Sequence, residues 1–336
     1  MGRRTLVLGV VSLGAYLVLA MSGQAQTWKP EKPINLIVPW GAGGSTDQVT
    51  RIAAGELETP LGQKIVVVNQ PGASGTVGTK TVMDAKKDGY SWASGATGDL
   101  GTYKVKGFID TTIQNWHLYL SVANVMVVCV NPNTPYKDFG ELLKAFRDNP
   151  GKIPVATAGE GSMGAVAIEA IKKQVGIQYK MASYDGGNPA VIATVSGETQ
   201  VTTQLAVEQV DMIRAKRLRP LAALTDEDLN VKGYGAIPSI KKWIPGLKGL
   251  YSYFGIFVPK GVPNEVVQTL DSVWAKTIAN SAKLKDYAND RAAIFTSSYG
   301  KEAQEKAFPF IQFTAWLYWD AGKAQVKPDT IGIPRP

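Results

Sequence analysis

The stretch INLIVPWGAGGSTDQ, residues 34–48, holds three structural signals in succession. Ile34–Val38 is an apolar run, typical of a strand that is buried on both faces. The glycine-rich loop 39–44 follows it, and apolar residues at helical spacing come next. Ser45 and Gln48 have the spacing of a capping box, so we expect the helix to begin at Ser45. The stretch therefore predicts a strand, a glycine loop and a helix.

The same pattern recurs along the chain. Apolar runs that predict strands alternate with segments of helical periodicity, and this alternation favours parallel sheets with helices on both faces. We therefore predict an α/β fold in which each sheet is mostly parallel. The predicted strands are 64–68, 90–94, 122–130, 153–156, 179–183, 199–205, 220–224 and 251–258, and the predicted helices include 76–85, 163–175, 188–196 and 207–217.

Two long apolar stretches, 122–130 and 251–258, bracket the middle of the chain. They predict that the chain leaves one lobe, builds a second and returns to the first. We assign 26–123 and 250–336 to the first lobe and 124–249 to the second. In open α/β sheets ligands bind outside the carboxyl ends of the strands, so we expect a ligand site between the lobes.

The composition excludes several classes of chemistry. The 336 residues are 45% hydrophobic and 19% charged, which suits a globular protein of about two domains. One Cys and one His can neither close an intramolecular disulfide nor build a protein-only zinc site. Any histidine base would have to be His117. We expect no metal, no cofactor and no hydrolase triad.

Residues 1–25 have the pattern of a secretory signal peptide. Arg3 and Arg4 precede the uncharged apolar stretch 5–21, and small residues lead to Ala25. We expect cleavage after Ala25 and a periplasmic protein. An uncleaved anchor is the alternative, although the apolar stretch is at the short limit for a membrane span.

The charge of the chain indicates which partners to expect. The net charge of +8 becomes +6 once Arg3 and Arg4 are removed, and the basic residues are spread along the sequence. Nucleic acid is therefore not an expected partner.

The glycine loops favour an anion rather than a nucleotide. In the loop 41–46, GAGGST, the sixth position of a dinucleotide fingerprint is Thr46, and no Lys follows in the phosphate-loop place. Exposed backbone N–H groups and the helix dipole suit an anion such as a carboxylate. A tight turn without a ligand is the alternative. The similar loops 159–164 and 184–189 in the other half favour a site lined from two sides.

Four single residues have competing interpretations. We expect His117 to be structural and Cys129 to be a buried core thiol. Trp40, beside the glycine loop, either shapes a pocket or packs beneath it. Asp47 lies near the predicted helix start, and we interpret it as interacting with the helix dipole. Contact with an amino group of a ligand is the alternative.

Several short motifs together resemble the periplasmic substrate-binding proteins of tripartite tricarboxylate transporters, the TctC or Bug family. Each motif alone is weak, but their order and spacing are specific, and the match covers nearly all of the chain after residue 25. They are Lys32-Pro33-Ile34, Ile37-Val38-Pro39-Trp40, Gly43-Gly44-Ser45-Thr46-Asp47, Asn69-Gln70-Pro71-Gly72-Ala73, Asp88-Gly89-Tyr90, Asn149-Pro150-Gly151 and Tyr184-Asp185-Gly186-Gly187-Asn188-Pro189-Ala190.

The resemblance implies a type II periplasmic binding protein, a two-lobe Venus flytrap that holds a ligand carboxylate with backbone and hydroxyl donors. Two departures leave the ligand open. Many relatives have a His shortly after the Gly-Ser pair, whereas residues 163–166 of this chain are Met-Gly-Ala-Val. The strand end that often reads Phe-Asp-Asn is Thr-Gln-Leu here, at residues 203–205. The implied ligand-binding residues are Trp40, Ala42, Gly43, Gly44, Ser45, Thr97, Gly161, Ser162, Met163, Tyr184 and Gln204.

We therefore expect a monomeric, non-enzymatic receptor for a small carboxylate, which closes by a hinge and delivers its ligand to a permease of one large and one small membrane subunit. Citrate-like acids, dicarboxylates, aromatic acids and neutral or amino-acid ligands all remain open. A periplasmic sensor that presents its ligand to a histidine kinase is one alternative. An exported enzyme is another, disfavoured because no pair of base and nucleophile stands out.

Overall fold

The computed structural model describes Gly2 and residues 28–336. The predicted cleavage after Ala25, and the signal peptide apart from Gly2, lie outside the described residues. Within residues 28–336 no helix has both the length and the apolar character needed to cross a bilayer.

The elements alternate between strands and helices, with short 3-10 turns between some of them. The chain begins with β1 (Ile34–Val38), α1 (Ser45–Leu61), β2 (Ile65–Asn69), α2 (Thr76–Asp84), β3 (Ser91–Ala96), α3 (Thr97–Lys106) and β4 (Trp116–Val125). It continues with β5 (Val127–Val130), α4 (Phe139–Asp148), β6 (Pro154–Thr157), α5 (Met163–Val175), β7 (Lys180–Ser183), α6 (Gly187–Ser196), β8 (Val201–Thr202), α7 (Ala206–Arg214) and β9 (Arg219–Ala223). It ends with β10 (Leu229–Val231), β11 (Gly235–Ile237), β12 (Tyr251–Pro259), α8 (Asn264–Lys276), α9 (Ala282–Arg291), β13 (Ile294–Tyr299) and α10 (Gly300–Asp320).

Two sheets form the centres of two lobes. The first lobe is built on a six-stranded sheet with the order β13-β4-β12-β3-β1-β2, and the second on a five-stranded sheet with the order β7-β6-β8-β5-β9. The strands β10 and β11 form a separate antiparallel hairpin. The predicted two-lobe α/β fold is confirmed.

Strand direction within the sheets corrects one part of the prediction. In the first sheet β1, β2 and β3 are parallel, while β12 is antiparallel to both β3 and β4, and β13 is antiparallel to β4. In the second sheet β5 runs against β8 and β9. Each sheet is therefore mixed. The strands β5 and β12 arrive from the other lobe without a crossover helix and insert in the opposite direction, and β13 adds an antiparallel edge strand after α9.

The strand β1 shows why a short apolar run becomes a central strand. Ile34 and Leu36 pack with α1 residues in one core, and Ile37 packs in a second core with residues of α3 and α10. Successive side chains point to opposite faces of a sheet, so both faces of this strand must be apolar. Helices therefore cover both faces of the first sheet.

The predicted strand 122–130 is two strands in two sheets. β4 pairs with β12 as far as Val125, β5 begins at Val127, and Met126 is the one residue between them. The chain returns from β9 to β12 through Leu224, whose N–H donates to Met126 O and whose carbonyl accepts from Leu250 N–H, both at 2.9 Å. Buried apolar residues thus line both passages between the lobes.

Three elements were not predicted from the sequence. α3 follows β3 without a loop, and its glycines and threonines have low helical propensity. The edge strand β13 and the hairpin β10–β11 are short and largely polar or exposed. Tertiary pairing, rather than local propensity, decides such segments.

Gly255 in β12 allows two strands to approach at an irregular pairing. A Cβ at this position would lie 1.9 Å from Tyr119 O, a backbone atom that cannot rotate away. We expect Gly255→Ala to lower the free energy of unfolding by roughly 3 kcal/mol or more, because the strands must separate to relieve the clash. Urea denaturation measures this change.

Gly55→Ala is the matched control. A Cβ at Gly55 of α1 meets no atom within 4 Å, so we expect this variant to gain roughly 0.5–1 kcal/mol from the higher helical propensity of alanine. Equal effects of the two substitutions would contradict the close approach at Gly255.

Candidate functional site

Five helices begin soon after strands and direct their N-termini at one space between the lobes. They are α1 after β1, α3 after β3, α5 after β6, α6 after β7 and α7 after β8. The space is a cavity of about 100 Å³. Helix N-termini carry unpaired N–H groups and a positive partial charge, so this geometry suits an anionic group. The lining residues are Trp40, Gly41, Ala42, Gly44, Ser45, Thr46, Asp99, Ala158, Ser162, Met163, Asp185, Gly186, Gly187, Asn188, Pro189, Gln204, Leu205, Glu208 and Phe254.

Helix α1 begins at Ser45 as predicted, but not through a capping box. Gly44 is the N-cap and makes no side-chain cap. Ser45 Oγ donates to Glu208 Oε1 at 3.0 Å, and Ser45 N–H donates to the same oxygen at 3.4 Å. Gln48 Nε2 donates to Gly43 O at 2.7 Å instead of capping the helix. A carboxyl group of the second lobe therefore receives the first N–H of α1.

Asp47 holds the glycine loop to α1. Its carboxylate accepts the Gly43 N–H, Arg51 Nε and Asn69 Nδ2, each at 2.9 Å. Burial raises the pKa of Asp47, but these hydrogen bonds outweigh burial and leave the pKa below its ordinary value. The carboxylate is occupied by the protein, which agrees with the structural interpretation of Asp47.

Asp99, in the first turn of α3, is a buried acid on the wall of the cavity. Its residue is 4% exposed, and within the described residues Oδ1 has no hydrogen-bond partner. Burial raises the pKa of Asp99, and the nearby Glu208 raises it further, against the opposing effect of Lys106. Asp99 therefore brings a carboxyl group with an unpaired, buried oxygen to the wall of the cavity.

Glu208, in the first turn of α7, is a second acid on the wall of the cavity, and it is partly buried. Burial raises its pKa, and the hydrogen bonds from Ser45 act in the opposite direction. The Gln204 side-chain amide is oriented so that both its nitrogen and its oxygen have hydrogen-bond partners. The nitrogen donates to Glu208 Oε2 at 3.2 Å, and the oxygen accepts the Ala158 N–H at 2.7 Å. Among the described residues no Lys, Arg or His lines the cavity.

The second lobe supplies the opposite wall. Ser162 is the N-cap of α5, where its Oγ accepts the Ala165 N–H at 3.3 Å and donates to Gly159 O at 2.8 Å. Met163, in the first turn, is 3% exposed and also lines the cavity. Its methyl group would lie 2.9 Å from a Cβ at Gly98, so a glycine in α3 makes room for it.

Hydrogen bonds join the two lobes around the cavity. Besides the bond from Ser45 to Glu208, donors on one lobe reach backbone carbonyls of the other. These contacts define a closed arrangement. They run from Asn188 Nδ2 to Gly43 O at 2.8 Å, from Lys106 Nζ to Gly161 O at 3.1 Å and from Tyr318 Oη to Glu160 O at 2.6 Å.

The structure brings most of the predicted ligand-binding residues together, although no bound ligand tests their role. Trp40 lines both the cavity and a wider outer cleft, of about 620 Å³, that adjoins it. The predicted residues that line the cavity are Trp40, Ala42, Gly44, Ser45, Ser162, Met163 and Gln204.

The other four predicted residues lie elsewhere. Gly43 turns its N–H to Asp47, and the Gly161 carbonyl accepts from Lys106. Thr97 is fully buried at the start of α3, outside the cavity lining. Tyr184 lines the outer cleft, and its Oη donates to Glu198 at 2.8 Å.

Asp99 and Glu208 were missed in the sequence analysis. For Glu208 a signal was available, since it is an acid in the first turn of a predicted helix after a predicted strand. For Asp99 there was none, because α3 itself was not predicted. The sequence cannot show that helices from different lobes place these two acids in one cavity.

His117 and Cys129 lie outside the cavity lining. His117 lies on β4 opposite Val258, and burial together with Lys260 lowers its pKa. Cys129 is fully buried in β5, where burial raises the thiol pKa. Both placements agree with structural roles.

Sequence comparison identifies relatives over most of the chain. The family model described as tripartite tricarboxylate transporter family receptor matches residues 49–312. The UPF0065 protein in the tcbD-tcbE intergenic region of Pseudomonas sp. (strain P51) is 31% identical over 286 residues, covering 83% of this chain and 82% of the relative. Protein BugT of Bordetella pertussis is 26% identical over 292 residues, covering 86% and 88%.

Solved structures share the fold. A periplasmic transporter is 26% identical with a TM-score of 0.76, covering 88% of this chain and 97% of its own. Rpa4515 of R. palustris with adipate is 23% identical with a TM-score of 0.78, covering 88% and 99%. MatC of Rhodopseudomonas palustris with bound malate is 21% identical with a TM-score of 0.76, covering 86% and 99%.

The two lobes and the cavity between them define a solute-binding protein. The chain belongs to the tripartite tricarboxylate transporter receptor family, since the family model covers well over half of it. The resemblance inferred from the motifs is confirmed. Because this is a family of receptors, the expectation that the chain is not an enzyme is confirmed as well.

The hydrogen bonds of Asp47 make its contribution depend on pH. A folded-state pKa below the ordinary 3.8 means that the carboxylate stabilises the protein above pH 3.8, and that this stability is lost as the pH falls through the folded-state pKa. We expect Asp47→Asn to lower the free energy of unfolding by roughly 1–3 kcal/mol at pH 7, and by progressively less below pH 3.8.

Urea denaturation of both proteins across this range measures the difference. Asp84→Asn is the control, because Asp84 pairs with Lys80 on an exposed surface, and we expect a change within about 0.5 kcal/mol at every pH. A pH-independent effect of Asp47→Asn would contradict the role of its charge.

Proposed function

We propose that this protein is an exported receptor that binds a small carboxylate between its two lobes and delivers it to a tripartite transporter. The observation that carries the proposal is the convergence of five helix N-termini on one small cavity. Partial positive charges and N–H donors from several helices can hold a carboxylate without a basic side chain. The cavity size favours a small organic acid over a nucleotide or oligosaccharide.

The relatives support a carboxylate as the ligand class. Two proteins of the same fold carry adipate and malate, both of which are small dicarboxylates. We propose that the seven predicted residues lining the cavity, from Trp40 to Gln204, form the core of the ligand site. Thr97, Gly161, Gly43 and Tyr184 would support it from positions behind the wall or in the outer cleft.

We also propose that the protein is periplasmic and that its signal peptide is removed after Ala25. The sequence pattern of residues 1–25 supports export. A solved relative of the same fold is described as a periplasmic transporter. The mature chain would then begin at Gln26.

Opening and closing would occur at the passages between the lobes. We propose that the first lobe comprises 26–123 with 250–336 and that the second comprises 124–249, supported by the single-residue passage at Met126. Because Leu224 bonds to both Met126 and Leu250, the two passages would bend together. A bound ligand would stabilise the closed form by touching both lobes.

Ligand class can be tested by thermal unfolding. We expect carboxylates to raise the melting temperature by several degrees, because a ligand at 100 times its dissociation constant adds about 2.7 kcal/mol to stability. The protein is first unfolded in guanidinium and refolded, so that ligand retained from the cell is released. Neutral sugars and simple amines serve as comparison ligands.

A variant that blocks the cavity tests where the carboxylate binds. Ala42 is exposed at the cavity, so we expect Ala42→Trp to abolish the shift while the ligand-free melting temperature stays within a few degrees. Ala282→Trp places the same bulk at an exposed site on α9 and should retain the full shift. A full shift in Ala42→Trp would contradict binding in this cavity.

Co-purification tests the partner. We expect the ligand-saturated protein to be retained by membranes that contain one large and one small permease subunit, and to be retained less without ligand. Selective retention by the periplasmic domain of a histidine kinase would instead favour the sensory role. The Ala42→Trp variant controls for retention that does not depend on ligand.

A further inference from the structure

Two carboxyl groups, one buried and one partly buried, lie in a cavity whose helix N-termini favour anions. Asp99 is contributed by the first lobe and Glu208 by the second. Asp99 is buried and Glu208 is partly buried; burial raises the pKa of Asp99 and the charge of Glu208 raises it further, as expected for two carboxyl groups in one cavity. A ligand that carries only negative charge would add to this repulsion in a medium of low dielectric constant.

Within the described part of the chain, no hydrogen bond to Asp99 Oδ1 explains the burial of this residue. Oδ1 accepts no hydrogen bond from the described residues, although an unpaired buried polar atom is costly. The nearby cation, Lys106, is directed elsewhere, since its Nζ donates to Gly161 O at 3.1 Å and lies 4.3 Å from the Tyr318 ring centre. Asp99 therefore lines a cavity that no Lys, Arg or His of the described residues lines.

Glu208 occupies a different position. Its Oε1 accepts both donors of Ser45, and Gln204 donates to its Oε2. These hydrogen bonds fix the carboxyl group on the wall without supplying a full positive charge. The wall thus carries the Asp99 carboxyl group, whose Oδ1 is unpaired, and a second carboxyl group that hydrogen bonds hold in place.

Building on the proposed function, we propose that the ligand is an amino carboxylate, whose carboxylate faces the helix N-termini and whose protonated amino group is held by Asp99 beside Glu208. An ammonium group supplies three N–H donors and one positive charge, which matches an unpartnered acceptor next to a second acid. The ammonium charge then offsets one of the two carboxylate charges of the cavity when the lobes close.

Matched ligand pairs test this inference. Isothermal titration of the refolded protein would compare aspartate with succinate, glutamate with glutarate and 4-aminobutyrate with butyrate. Within the pair that binds best, we expect the amino carboxylate to have a dissociation constant at least about tenfold lower than that of its partner without the amino group.

Neutral variants test the residues. Asp99→Asn should weaken binding of the preferred amino carboxylate roughly 30-fold or more, the low end of the cost of removing one partner from a buried charge pair. The same variant should leave the analogue without the amino group unchanged or bound more tightly. Glu208→Gln should shift the preference in the same direction. Asp110→Asn removes an exposed charge beyond the end of α3 and should change neither constant.

The outcomes separate this inference from the proposed function. Tighter binding of the analogues without an amino group, with Asp99→Asn improving them, would overturn the amino-carboxylate inference and leave a carboxylate receptor in place. If members of a pair bind equally well and Asp99→Asn changes neither, the inference is also overturned. If no carboxylate of the three pairs binds, and no other organic acid binds either, the proposed function itself is contradicted.

Discussion

At Met126 the chain passes from one sheet into the other while remaining extended, and the rest of the molecule is arranged around this passage. Val125 pairs within the first sheet, Val127 begins the second, and the return segment is bonded to the passage through Leu224. The chain thereby joins the two sheets at strand ends, with the carboxyl ends of β1, β3, β6, β7 and β8 toward the space between the lobes. Since a helix follows each of these strands, five helix N-termini converge on the space between the lobes.

This convergence explains how the cavity can attract an anion although no basic side chain among the described residues lines it. Fixed backbone dipoles replace lysine and arginine, and they need no reorganisation when a ligand enters. The same field favours the ionised forms of Asp99 and Glu208, whereas burial raises the pKa of both groups and the charge of Glu208 raises that of Asp99 further. The cavity therefore offers both kinds of hydrogen-bonding group, N–H donors on several helices and carboxyl acceptors on two. A ligand with both kinds of group fits it better than one with negative charge alone.

Much of this arrangement could be predicted from the sequence, because local patterns are repeated. The run Ile34–Val38, the glycine loop and the helix start at Ser45 follow from apolar periodicity and backbone freedom, and the structure has each of them. The predictions that failed concern contacts across long distances in sequence. Ser45 bonds to Glu208 rather than to its own helix, and the stretch 122–130 belongs to two sheets. Neither feature can be recognised from a local stretch of about ten to fifteen residues.

The sequence by itself determined the alternation of strands and helices, the two-lobe α/β class and the family, because these depend on periodicity and on the order of motifs. Only the tertiary structure decided the mixed direction of the strands, the capping of α1 by Glu208 and the meeting of two acids in one cavity. Asp99 and Glu208 are separated by more than a hundred residues. Their proximity arises from the packing of two separate sheets, and the electrostatic consequence exists only once burial has removed the water between them.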